Sequence, residues 1–122
     1  MSDTKEYVTM SDEGGTINIS EEVLGIISVE AIGQVEGVGG ITNTLGRDIA
    51  ELFGKKNAFK GVKISMDGAK ITIDTYILVK YGYPVNDVAV KVQRSVADAV
   101  ESMTALTINE VNVHVSGIVF EK

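Results

Sequence analysis

His114 is the first residue to weigh for chemistry, because imidazole is the side chain whose ordinary titration lies nearest neutrality. It is the only histidine, and the chain has no cysteine, so a multi-histidine metal site, thiolate ligands, disulfides and thiol nucleophiles are all excluded. The run Val111-Asn112-Val113-His114-Val115-Ser116 alternates strictly, which puts His114 with Asn112 and Ser116 on the polar side of a strand. Asp74 is the one carboxylate expected in mid-strand, exposed opposite Lys63 or near it, and a surface ion pair is the role that fits. The other acids fall in helix first turns, loops and outer helix faces. No pair is held as acid-base catalysis requires, so the chain is expected not to be an enzyme and to carry neither cofactor nor metal.

Gly37-Val38-Gly39-Gly40 resembles a phosphate cradle in composition. Nucleotide-binding loops follow a strand and end in Gly-Lys-Ser/Thr; these glycines follow a predicted helix and no lysine closes them. A helix stop is the reading favoured here. The alternative is an anion or nucleic-acid site formed by Gly37, Gly39 and Gly40 with Arg47, Lys55 and Lys56, the last three belonging to a locally basic stretch of an acidic chain. Tyr76 and Leu78 are apolar residues on an otherwise polar sheet face, and with Asn112 and His114 they form a candidate partner-binding surface. Tyr81 is expected on the core side. Ile118 and Phe120 join the open patch only if a bend at Gly117 preserves their parity.

The elements that position these residues follow from periodicity. Residues 1–15 are polar and aperiodic, as in a disordered leader, and residues 16–122 make one domain. Ile17 and Ile19 alternate in a short strand, after which Ser20 caps a helix with Glu21 and Glu22 in its first turn. Leu24, Ile27, Ala31, Val35 and Val38 form that helix's core stripe. Leu45, Ile49, Leu52 and Phe53 could make a second, short helix. Asp67-Gly68 between alternating runs predicts a two-residue hairpin with Met66 opposite Ala69, Ile64 opposite Ile71 and Val62 opposite Ile73. Tyr83-Pro84 opens a long helix with the stripe Val85, Val88, Val92, Val96, Ala99 or Val100, and Met103. The order β-α-(α)-β-β-α-β predicts an α+β two-layer sandwich, with two long helices on one face of an antiparallel sheet, as in ferredoxin-like folds.

The 122 residues, 44% of them hydrophobic, suffice for one core, and the net charge of −6 disfavours nonspecific binding to nucleic acid or anionic lipid. No apolar run is long enough for a membrane helix, so direct insertion is not expected, and a cytoplasmic location is the default.

The segments Gly15 to Val23, Gly37-Val38, Gly61-Val62 through Tyr81-Gly82, Val92-Gln93 to Glu101-Ser102-Met103-Thr104, and Val111 to Val115 together resemble the alkaline shock protein family, the envelope stress response family of Gram-positive bacteria. That resemblance covers about residues 15 to 120. It implies a non-enzymatic cytoplasmic protein of cell-envelope homeostasis, prone to self-association, with a membrane anchor protein among its candidate partners and a membrane-proximal location through such a partner. The expectation is a scaffold or adaptor acting through protein-protein contacts. The alternative is a small regulatory module binding an anionic metabolite or nucleic acid at Gly37 to Gly40 and the adjacent basic segment.

Overall fold

In the computed structural model, the described residues are 7–42, 58–59, 61–67 and 70–120. Tyr7-Val8-Thr9-Met10 is β-prone, and it pairs as β1 (Tyr7–Asp12) with β2 (Gly15–Ser20) in an antiparallel hairpin. The Asp12 carboxylate accepts from the Gly14 amide at 2.8 Å in the turn. Residues 7–12 were expected to belong to an unstructured leader. Only Val8 and Met10 alternate toward the core there, too few positions to register as periodicity in the sequence.

Ser20 caps α1 (Glu21–Gly33) as expected, its hydroxyl accepting from the Val23 amide at 3.3 Å. The helix stops at Gly33, four residues before the expected glycine stop, so Val35 and Val38 leave its stripe and Val38 opens β3 (Val38–Ile41). The glycine run is thus partly a strand. The proposed short helix over Leu45 to Phe53 lies outside the described residues. β4 (Ala58–Phe59), β5 (Val62–Asp67) and β6 (Lys70–Lys80) follow. The hairpin register is two residues from expectation, with Asp67 opposite Lys70, Met66 opposite Ile71, Ile64 opposite Ile73 and Val62 opposite Thr75. A shift of two preserves the faces, and it sets Met66 against isoleucine rather than alanine.

Pro84 precedes α2 (Val85–Thr104). Its buried stripe is Val88, Val92, Val96, Val100 and Thr104, so Thr104 replaces Met103, and Val85 is exposed. Such a valine-rich helix is a weak helix former and is held by packing. β7 (Glu110–Val119) closes the fold.

The α+β, two-layer, ferredoxin-like arrangement is the one observed, with α1 and α2 packed on each other and on one sheet face. Two features differ from expectation. Among the described residues β2 pairs only with β1, outside the main sheet, and β7 runs parallel to β6, making that sheet mixed. A strand reached through a crossover helix comes back parallel, whereas hairpins give antiparallel pairs. β6 is central, with β7 along one edge and β5 and β3 end to end along the other. Its odd residues Ile71, Ile73, Thr75, Ile77 and Val79 are buried under the helices, and its even residues face away from them.

Thr75 is fully buried and its hydroxyl has no hydrogen-bond partner among the described residues. Thr75→Val should therefore raise stability by about 1 kcal/mol, since a methyl group carries no desolvation cost. Urea titration would show this as a higher midpoint at unchanged slope.

Candidate functional site

The sheet face turned away from α1 and α2 is built on the even residues of β6, and the parallel register sets Asp74 beside Asn112, Tyr76 beside His114 and Leu78 beside Gly117. All four residues expected in the partner-binding surface, Tyr76, Leu78, Asn112 and His114, lie on this face. The Tyr76 and His114 rings stack with centroids 4.5 Å apart and planes inclined by 15°. His114 Nε2 lies 3.1 Å from Asp74 Oδ1, with the two side chains 45% and 22% exposed. Asp74 does stand opposite Lys63 in the register, as expected, and its carboxylate contacts His114. That contact was not foreseen, because it depends on the pairing of β6 with β7. A crossover helix of 20 residues between two strands was the sequence signal for that pairing.

Leu78 lies between two glycines. A Cβ on Gly40 would sit 3.6 Å from one Leu78 methyl, and a Cβ on Gly117 would sit 3.1 Å from the other. With no side chain rising on either flank, Leu78 spreads into a low apolar patch beside the Tyr76-His114 stack. Thr42 donates its hydroxyl to Ser116 at 3.3 Å, adding a polar rim. The Thr42 amide also donates to the Tyr76 carbonyl at 2.9 Å, while the Tyr76 amide donates to the Gly61 carbonyl at 2.9 Å. Tyr76 is thereby fixed by backbone bonds to both segments that meet beside it.

The bend after Val115 does not preserve parity. Val115 is opposite Ile77 and Gly117 is opposite Leu78, so Ser116 is an inserted residue and every later side chain changes face. Ile118 stands opposite Val79 on the helix side, not in the open patch. Tyr81, expected in the core, is 69% exposed and stacks on Phe120, itself 71% exposed, at 4.8 Å.

The alternative anion site is placed only in part. Gly37 is buried beneath Val88 and Tyr83, with no room for a Cβ, while Gly39 and Gly40 are strand residues of β3. Arg47, Lys55 and Lys56 lie outside the described residues. An open cleft of about 500 Å³ runs between α1 and β3, lined by Val29, Glu30, Gly33, Gln34 and Val38 to Ile41, and among the described residues its one ionisable lining group is acidic. Among the described residues no cluster of histidine, cysteine or carboxylate could hold a metal ion. No described helix is long and apolar enough to cross a membrane.

Residues 9–120 match the alkaline shock protein 23 family, described as having a cell envelope-related function. The chain is 37% identical over 107 residues to the uncharacterized protein YqhY of Bacillus subtilis, covering 88% of this chain and 79% of that one. It is 38% identical over 120 residues to the uncharacterized protein Spy1535 of Streptococcus pyogenes serotype M6, covering 98% and 86% of the two. Among solved structures, MamM-CTD aligns with a TM-score of 0.49 at 21% identity, over 79% of this chain and 96% of its own.

Proposed function

The chain belongs to the alkaline shock protein 23 family, whose described function is cell envelope-related, and from that premise we propose that it is a non-enzymatic scaffold or adaptor that binds a protein partner through the sheet face turned away from α1 and α2. The observation that carries this reading is the continuity of the Tyr76-His114 stack with the Leu78 patch, set on a sheet that α1 and α2 cover on its other side only. An aromatic ring and a low aliphatic patch provide contact area at small entropic cost, and Asp74, Asn112, Thr42 and Ser116 provide polar groups around them. The His114 ring is held between the Asp74 carboxylate and the Tyr76 ring, an arrangement that supports a part in the contact surface. The reading places the protein in the cytoplasm, near the envelope through its partner.

Tyr76→Glu combined with Leu78→Glu tests the face directly. Both positions look away from the core, so the double variant should melt within a few degrees of the unchanged protein. In affinity capture from the native host with quantitative mass spectrometry, proteins retained by the unchanged chain should fall at least about tenfold with the variant. An undiminished set of retained proteins would sink the proposal.

A further inference from the structure

We infer that the groove between α1 and the outer edge of β3 is a docking surface for an extended, basic segment of a partner protein, which joins β3 as an added strand. β6 occupies one edge of β3, and among the described residues no strand occupies the other. The Thr42 amide donates to the Tyr76 carbonyl of β6, so strand alternation turns the Ile41 amide and carbonyl toward the opposite edge. All four residues of β3 line the open cleft described above, and the C-terminal turns of α1 form its other wall. Gly39 and Gly40 have no side chains to stand in the way of an approaching backbone.

α1 supplies an apolar wall. A helix on the surface of a domain ordinarily carries its apolar residues in one stripe, whereas α1 carries them on both sides. Leu24, Ile27, Ala31 and Ile32 are buried, while on the outer side Ile26 is 46% exposed and Val29 half-buried. Glu22, Ile26, Val29 and Gly33 follow one another along that outer side at helical spacing, with Glu30 next to Val29. The outer apolar strip therefore runs into the cleft, where Val29, Glu30 and Gly33 are lining residues.

Charge selects the occupant. Residues 6–46 contain seven acidic residues and no lysine, arginine or histidine, so this third of the chain accounts for more than the whole net charge of −6. α1 and β3 lie within it, and their own acids are Glu21, Glu22 and Glu30. An acidic segment is repelled here. A segment with valine-like side chains on the row facing α1 and lysine or arginine at its ends packs on Ile26 and Val29 and brings cations to Glu30, while its backbone satisfies the β3 edge. The groove opens on the helix side of the sheet, so the inference does not depend on the role given to Tyr76 and Leu78.

Fluorescence anisotropy on the full chain, with the end-blocked, labelled peptide Lys-Lys-Val-Thr-Val-Thr-Val-Lys-Lys as probe, tests this. A dissociation constant of about 10 to 100 μM is expected at low salt. Glu30→Lys and, separately, Ile26→Lys, both at exposed positions, should each weaken binding at least about tenfold with unchanged circular dichroism. Glu110→Lys makes the same charge change as Glu30→Lys in β7, on the opposite edge of β6, and should leave binding within about twofold. Tyr76→Glu with Leu78→Glu should also leave it within about twofold, so failure of the open-face reading is seen separately from failure of this one. Alternate amides of a strand point to opposite edges, so N-methylating all the valines of the peptide, or all its threonines, should abolish binding in one case and spare it in the other. No binding up to about 1 mM, an equal response to the two N-methylated peptides, or a loss for Glu110→Lys as large as for Glu30→Lys would overturn the inference.

Discussion

Gly61→Ala is expected to destabilise the protein by about 3 kcal/mol or more, enough to leave a marginally stable domain of this size partly unfolded. Gly61 is buried where the end of β3 meets the start of β5 along one edge of β6. Its φ of +85° is left-handed, and a Cβ there would overlap the Thr42 carbonyl oxygen and the Ile41 side chain. The Thr42 carbonyl has little freedom to retreat, because the Thr42 amide and the Gly61 carbonyl are both bonded to Tyr76. The steric and conformational contributions can be separated. Gly82 has a comparable φ of +103° with nothing within 4 Å of a built Cβ, so Gly82→Ala should cost only about 1 kcal/mol. Chemical denaturation of both variants gives the difference directly. A Gly61→Ala variant no less stable than Gly82→Ala would show that the junction yields.

That junction is also where the sequence was least legible. Features set by neighbours along the chain were readable: the Ser20 cap, the start of α2 after Pro84, the Val88 to Val100 stripe and the existence of the β5-β6 hairpin. Each depends on side-chain spacing or local backbone preference. β3 was not readable, because a strand containing Gly39-Gly40 has weak β propensity, and its support comes from Leu78 and Val119. The parallel partner of β6 was equally hidden in local pattern, since alternation identifies a strand and its faces but not its neighbour. This explains why Tyr76, Leu78, Asn112 and His114 could be assigned to one face from sequence, while the Tyr76-His114 stack and the Asp74 contact could not. The change of parity at Ser116 belongs to the same class. It depends on an inserted residue that becomes visible only against the partner strand.

Two adjacent residues of β6 should separate the faces of the sheet. Ile73 is fully buried at the centre of the core, opposite Ile64 on one side and Val111 on the other. Ile73→Ala removes about three methylene equivalents from a site closed by strands on both flanks and helices above. Little collapse is possible there, and the expected cost is about 3 to 4 kcal/mol. Asp74 points the other way, its carboxylate 3.1 Å from a half-exposed His114 ring, and Asp74→Ala should cost less than about 1 kcal/mol. Urea denaturation should therefore show a large fall for the first variant and a small one for the second. Partner retention should reverse that order, measured below the denaturation midpoint so that Ile73→Ala is mostly folded. Asp74→Ala frees His114 to turn away from Tyr76 and breaks up the stack at the middle of the face, whereas Ile73→Ala leaves the surface composition untouched. If both variants lost binding only in proportion to the fraction unfolded, the even positions of β6 would have no role beyond solubility. If Asp74→Ala lost binding while fully folded, the contact surface would be separated from the fold that holds it.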